Sequence, residues 1–156
     1  WQAVTDMVAY TIEQGIQCWF SESIDPCVNL PYVDLGKIKD IGVLRAMDAG
    51  FEYVCFVDCD AKPEPDLLVN LLNISQPIVA PLIVNPENGG ALGNPSYEKN
   101  VGVHPMRWIP ATFMLFKTTV FNAVGTNLFD GSLTEGDVFQ KLWHVGHRPW
   151  IDTSLI

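Results

Sequence analysis

The chain has 156 residues, 48% of them hydrophobic and 17% charged, and a formal net charge of −9. This length and composition predict one folded domain over residues 1–156 and argue against disorder, and the negative charge argues against a nucleic-acid duplex as partner. The sequence shows no apolar run long enough for a transmembrane segment and no signal-peptide pattern. The four cysteines lack the CxxC spacing, so we expect a cytoplasmic protein with reduced thiols.

Segments with strand-like and helix-like patterns alternate along the chain. In chain order the patterns predict a helix at 1–14, a strand at 16–20, a loop at 21–36, a helix at 37–49, a strand at 53–57, a helix at 66–72, a strand at 77–84, a loop at 85–102, a strand at 107–117, a helix at 118–125, a loop at 127–135, a helix at 137–145 and a strand from 150. This alternation predicts a mostly parallel central sheet with helices on both faces. A strand normally precedes the first helix of such a fold, and we expect it before residue 1.

Two aspartates follow the strand at 53–57. The apolar run ends abruptly in Asp58-Cys59-Asp60, and ligands of open α/β sheets bind at the carboxyl ends of the strands. Residues i and i+2 of an extended segment point the same way, so both carboxylates can face one cation, and such oxygen ligands suit Mg²⁺ or Mn²⁺ held with substrate phosphates. Alternatively, one aspartate caps the following helix and the other is solvated.

Other acidic residues could join this edge of the sheet. Glu22 and Asp25 follow the predicted strand at 16–20, where they either contribute to the same site or are exposed loop acids. His104 precedes a proline just after the long loop and is interpreted as solvated rather than catalytic.

Several motifs, taken in order, carry a resemblance to a known family. The segment ending in Val57-Asp58-Cys59-Asp60 resembles the DxD region of GT-A glycosyltransferases of the family-2-like group. The segments 108–121 (WIPATFMLFKTTVF), 135–139 (EGDVF) and 144–154 (HVGHRPWIDTS) are similar to the acceptor-side strand, the acidic helix start and the Asp-Thr-Ser ending of that family. The match runs from about residue 16 to the end of the sequence.

The resemblance implies a GT-A, Rossmann-like catalytic domain, incomplete at both ends, that moves a sugar from a nucleoside-diphosphate sugar to a hydroxyl of a glycan, lipid or protein. Its site residues would be Asp58 and Asp60 for Mn²⁺ or Mg²⁺, Glu22 or Asp25 with Asp58 and Asp60 for the nucleotide, Asp137 or Glu135 for catalysis, and Trp108 and Thr112 for the substrate. The divalent cation would neutralise the leaving group, and in an inverting enzyme Asp137 would be the general base.

The sequence also departs from the family pattern. The usual Glu-Asp pair is here Gly136-Asp137, with Glu135 one place early, so which acid is the base stays open. In many relatives a histidine soon after the Asp-Thr-Ser segment completes the metal site, and none follows within this sequence. Asp137 could instead cap a helix, and Trp108 could pack in the core.

Two other functions stay open. A strand followed by DxD also opens haloacid-dehalogenase-type phosphohydrolases, in which the first aspartate is the nucleophile. That family has Thr or Val two places after the second aspartate, where this sequence has Lys62. The third hypothesis is a non-catalytic module that binds a sugar or nucleotide on the same scaffold.

Overall fold

The computed structural model describes residues 1–19, 32–58, 60–85, 87, 89–91, 102–130, 132 and 135–155, with the backbone alone for 32–34 and 135. The helices of this part are α1 Gln2–Glu13, α2 Tyr32–Asp48, α3 Leu67–Leu72, α4 Thr119–Val124 and α5 Glu135–His144, and the strands are β1 Tyr53–Val57, β2 Ile78–Pro81, β3 Val103–Pro105, β4 Phe113–Lys117 and β5 Trp150–Asp152. None of these helices combines the length and the apolar character that crossing a membrane requires.

The strands form one mixed sheet in the order β1-β4-β2-β5-β3. Strand β4 is antiparallel to both β1 and β2, β5 is parallel to β2, and β3 is antiparallel to β5. The predicted fold class, a mostly parallel, Rossmann-like sheet with helices on both faces, is therefore wrong. Strands β1, β2 and β5 do run in one direction, but β3 and β4 run the opposite way, and β4 is inserted between β1 and β2.

Two apolar clusters pack against the sheet, one on each side. The first includes Phe116 of β4 with Val43 of α2 and Leu142 of α5. The second includes Leu115 of β4 with Met7 of α1, and with residues of α3. Successive side chains of a strand point to opposite faces, so β4 has no polar face, and its continuous apolar run results from burial on both sides.

Helix α2 is confirmed, but the apolar residues that recur in it at three-residue intervals, Ile38, Ile41, Leu44 and Met47, do not together form its buried face. Ile41 and Leu44 are 49% and 42% exposed, whereas Val43 and Ala46 are buried. A step of three residues falls about 60° short of a full turn of a 3.6-residue helix, so a stripe with that spacing winds around the helix. The buried face also includes Asp40.

Three strand predictions change. Residues 16–19 do not form a strand, and only the β4 part of the strand predicted at 107–117 is present. Strand β3 begins directly after the predicted loop at 85–102, and the sequence pattern did not reveal it. The connection after β4 is fixed by Thr118, whose Oγ1 donates to the carbonyls of Phe51 and Glu52 at 2.9 and 3.0 Å.

Candidate functional site

The ends of several strands meet at one side of the sheet, which we call the carboxyl edge. Strands β1, β2 and β5 finish there at Val57, Pro81 and Asp152, and β4 begins there at Phe113 because it pairs with β1 in the register Val57↔Phe113. The segments just after β1 and just before β4 are therefore neighbours. They contain half of the residues that the resemblance singles out, namely Asp58, Asp60, Trp108 and Thr112.

Asp58 and Asp60 lie on the turn that leaves β1. The Asp58 N–H donates to the Thr112 carbonyl at 2.9 Å, and the Asp58 carbonyl accepts the Ala61 N–H at 3.1 Å. The second bond closes a turn of four residues, so the extended geometry assumed from the sequence is replaced by a tight turn. Both aspartates are exposed to solvent, and the bond from the Asp58 N–H to Thr112 ties the start of the turn to the segment before β4.

The donor set here suits a cation that is shared with a substrate. Among the residues that the structure describes, no group of three or more His, Cys, Asp or Glu side chains could hold a metal ion. Two exposed carboxylates nevertheless fit Mg²⁺, which is commonly bound by one or two carboxylates, several waters and the phosphates of a substrate. The two carboxylates thus suit a cation that is also bound by a substrate phosphate, and they do not form a complete set of protein ligands.

A groove of about 450 Å³ opens beside Asp60. It lies between the start of α1, at Trp1, Gln2 and Ala3, and the segment Asp60, Ala61 and Lys62. This volume is within the range of small-molecule sites, roughly 300–1,000 Å³. The groove is lined mainly by apolar atoms, and Asp60 and Lys62 are the charged residues along it.

Two further predicted residues lie before β4. Thr112 is half-buried and is joined to Asp58 through its carbonyl. The Trp108 side chain is 38% exposed, while its neighbour Ile109 is fully buried. The segment is thus anchored by Ile109, and part of the Trp108 indole stays open to solvent.

The remaining predicted acids lie elsewhere or outside the described residues. Asp137 is half-buried in the first turn of α5, and that helix packs on the sheet through Val138 and Leu142. Glu22 and Asp25, and the side chain of Glu135, lie outside the described residues, so their predicted roles stay predictions.

The Asp-Thr-Ser segment forms a compact turn at the carboxyl edge. The Asp152 carboxylate accepts the Ser154 N–H at 2.9 Å and its hydroxyl at 2.5 Å, and the Thr153 N–H and hydroxyl both donate to the Gly102 carbonyl. Asp152 is separated from the β1 end by three strand spacings, roughly 14 Å. It is therefore too far away to share a cation with Asp58.

A buried carboxylate on α2, which the sequence analysis missed, binds a backbone turn near α5. We call residues 128–130 and 132 the Phe129 turn. The Asp40 carboxylate, 6% exposed, accepts the N–H groups of Phe129 and Asp130 at 3.0 and 2.7 Å. Burial raises the pKa of Asp40, and these two hydrogen bonds partly oppose that rise.

Lys141 of α5 holds the same turn from the other side. Its ammonium donates to the Leu128 carbonyl at 3.1 Å, to the Ser132 hydroxyl at 2.9 Å and to the Asp130 carbonyl at 3.4 Å. A sequence signal for Asp40 did exist, because it stands three residues before buried Val43 on one face of a helix. An aspartate on such a face needs a partner.

The described cysteines are unsuited to nucleophilic chemistry. Both Cys18 and Cys55 are free thiols. Burial raises the pKa of Cys55, and the neighbouring Cys18 raises it further; burial also raises the pKa of Cys18. Since the thiolate is the reactive form, neither thiol is activated at neutral pH.

Comparison with known proteins shows a shared fold. No protein-family model matches this sequence, and no curated protein matches it either. The crystal structure of A197 from STIV is similar to this chain with a TM-score of 0.58 and 12% sequence identity, over 96% of this chain and 75% of that chain. At this identity the likeness concerns the fold alone.

Proposed function

We propose that the protein is a metal-dependent glycosyltransferase that moves a sugar from a nucleoside-diphosphate sugar to a hydroxyl acceptor. The observation that carries this proposal is the position of Asp58 and Asp60. Both carboxylates are exposed on an anchored turn at the carboxyl edge, and Asp60 also lines an open groove. An exposed acidic pair beside a groove suits a diphosphate ligand that arrives with its cation.

Asp58 and Asp60 would hold Mn²⁺ or Mg²⁺. When bound, such a cation neutralises the negative charge that develops on the departing diphosphate. The two aspartates would supply the negative charge that retains the cation, and the bond from the Asp58 N–H to Thr112 ties the start of their turn to the carboxyl edge. A net charge of −9 is compatible with a phosphorylated ligand under these conditions, because the cation reverses the local sign.

The groove beside Asp60 would receive the donor. Lys62, which lines this groove, would place its ammonium near the phosphates. Glu22 or Asp25 would contact the nucleoside.

The acceptor would be bound by the segment before β4 and activated from α5. The exposed part of the Trp108 indole suits the apolar face of a sugar, and Thr112 adjoins Asp58 directly. If the reaction inverts the anomeric centre, Asp137 takes the proton of the acceptor hydroxyl as the oxygen attacks, with Glu135 as the other candidate. The acceptor would be a glycan, a lipid or a protein.

Titration calorimetry with UDP- and GDP-sugars, with and without Mn²⁺, tests the proposal. We expect donor binding that requires Mn²⁺ and that is lost in Asp58→Asn and in Asp60→Asn. Asp66→Asn is the matched control, because Asp66 is an exposed aspartate close in sequence whose side chain makes no capping hydrogen bond to α3. Binding that is absent, or that ignores the metal and both substitutions, would refute the proposal.

An enzyme assay separates transfer from the alternatives. The expected activity is slow Mn²⁺-dependent release of free sugar from the donor, with water in place of the acceptor. Hydrolysis of p-nitrophenyl phosphate that is lost with Asp58→Asn would instead indicate a phosphohydrolase. Donor binding without any turnover, across a panel of hydroxyl acceptors, would indicate a binding module.

A further inference from the structure

The Phe129 turn is held by an ionisable side chain that is buried. Asp40 is 6% exposed, and the desolvation of a carboxylate is unfavourable unless its oxygens are hydrogen-bonded. Both oxygens are: Oδ1 accepts the Phe129 N–H and Oδ2 accepts the Asp130 N–H. Two successive N–H groups are thus fixed by one rigid carboxylate, which determines the orientation of this peptide and not only its distance from α2.

The opposite polar groups of the turn are fixed by α5. Lys141 Nζ contacts two carbonyls of the turn and the hydroxyl of Ser132, a residue that is 1% exposed. The Ser132 hydroxyl in turn donates to the Leu128 carbonyl at 3.2 Å. On one side of the turn, Asp40 of α2 accepts hydrogen bonds from its N–H groups, and on the other side Lys141 of α5 donates to its carbonyls. The backbone of the turn therefore cannot rotate without breaking hydrogen bonds to both helices.

A close backbone approach adds a steric restraint. Gly36 of α2 faces the Phe129 carbonyl so closely that a Cβ at this position would stand 2.4 Å from the carbonyl oxygen. Only glycine permits that approach. Three residues of two helices, Gly36, Asp40 and Lys141, thus act on the same short segment, and we call this set of contacts the clasp.

The segment held in this way leads into the helix that carries Asp137. Ser132 precedes the start of α5 by three positions, and Lys141 stands one helical turn after Asp137, on the same side of the helix. Because Lys141 of α5 is hydrogen-bonded to the Phe129 turn, a shift of that turn would act on α5, the helix that carries Asp137. A general base must be within hydrogen-bond reach of the proton that it removes, so shifts of about 1 Å matter.

We propose that Asp40 and Lys141 are positioning residues, which hold the Phe129 turn and through it set the orientation of Asp137 in the first turn of α5. The inference rests on the proposed function for the role of Asp137. The clasp acts on the acceptor side of the reaction, and the donor-binding aspartates follow a different element, β1. Its loss should therefore lower turnover and leave donor affinity unchanged.

The first experiment measures turnover and donor affinity in Asp40→Asn, Asp40→Ala, Lys141→Met and Lys141→Arg. The kcat for Mn²⁺-dependent sugar release is divided by the number of donor-binding sites that calorimetry finds. We expect this kcat per site to fall at least tenfold in Asp40→Ala and in Lys141→Met. Asp40→Asn keeps one acceptor oxygen, so it should retain more activity than Asp40→Ala. Lys141→Arg keeps the positive charge and N–H donors, so it should retain more activity than Lys141→Met. The donor Kd should change less than twofold.

Val120→Ala is the matched control for a purely structural role. Val120 is fully buried in α4, which follows the far end of β4, and the hydrogen bonds from Asp40 and Lys141 to the Phe129 turn do not involve it. This variant should lose stability but keep its kcat per donor site. If the Asp40 and Lys141 variants behave in the same way, with fewer competent sites and normal turnover at each, the positioning role is refuted.

Hydrogen exchange gives a readout that needs no activity. In Asp40→Ala, amides of the Phe129 turn and of residues 135–139 should exchange at least tenfold faster under native conditions, whereas amides of α3, which packs in the other apolar cluster, should not change. Unchanged exchange in α5 would overturn the inference even in an active enzyme. Faster exchange in an enzyme that binds no donor would leave the clasp in place and refute the proposed function instead.

Discussion

Replacing Gly36 by alanine tests the packing of α2 against the Phe129 turn. In an ordinary helix interior the change stabilises a protein by about 1 kcal/mol, because alanine has the higher helix propensity. Here the new Cβ would lie 2.4 Å from the Phe129 carbonyl oxygen and 2.9 Å from its carbon, both closer than the 3.0 Å below which Cβ contacts essentially never occur. Both contacts are to backbone, so α2 and the turn must separate.

The separation strains the two hydrogen bonds of Asp40, now 3.0 and 2.7 Å long. A hydrogen bond to a charged group contributes about 1.5–3 kcal/mol. Loss of both, offset by the gain in helix propensity, gives an expected decrease of about 2–5 kcal/mol in the free energy of unfolding. Urea denaturation followed by circular dichroism measures this difference directly.

Gly42→Ala in the same helix is the internal control. A Cβ at Gly42 would meet only the Phe56 ring, at an ordinary contact distance of 3.8 Å. This variant should be more stable than the wild type by about 0.5–1 kcal/mol. If Gly36→Ala proved as stable as Gly42→Ala, the close packing of α2 against the turn would be wrong.

Three further changes probe other parts of the fold. Burial raises the pKa of Asp40 in the folded state above its value in the unfolded chain, about 3.9. The free energy of unfolding should therefore fall as the pH rises through these two pKa values, and then level off. Urea denaturation of the wild type and of Asp40→Asn from about pH 4 to about pH 7 should show this decline in their difference, and a rise would contradict it. Phe116→Ala should cost about 3–5 kcal/mol, seen as a lower melting temperature, because the ring is fully buried between Phe121 and Phe129; a cost below about 1 kcal/mol would contradict its place in the core. Thr118→Val should cost about 1–2 kcal/mol in chemical denaturation, since its hydroxyl donates to two carbonyls, and Thr119→Val, at an exposed neighbour, should change stability far less.

Much of the local structure could be predicted from patterns in the sequence. The apolar run of β1 was predicted correctly, as were α1, α3 and α4 to within about two residues, whereas the extended geometry expected at Asp58 and Asp60 was wrong. These features depend on neighbouring residues, whose propensities and spacing act within a few positions. Strand β3 was missed because three residues, one of them a proline, give too short a pattern to distinguish from a loop.

The candidate site was only partly open to such reasoning. The pair Asp58 and Asp60 stands out because an apolar strand stops abruptly at two carboxylates. The clasp does not stand out in the sequence, because Asp40 and Phe129 are 89 positions apart and no local pattern marks them as hydrogen-bond partners. The groove beside Asp60 likewise depends on α1, which begins more than fifty positions earlier.

The sequence by itself determined where the main helices and strands form and placed two aspartates at the end of a strand, because periodicity and turn chemistry are properties of short segments. Only the tertiary structure decided the directions of the strands. Strand β4 pairs with both β1 and β2 in antiparallel register, although a buried apolar strand has the same composition in either direction. Strand direction is set by how the connecting segments return across the sheet, and that depends on contacts between distant residues.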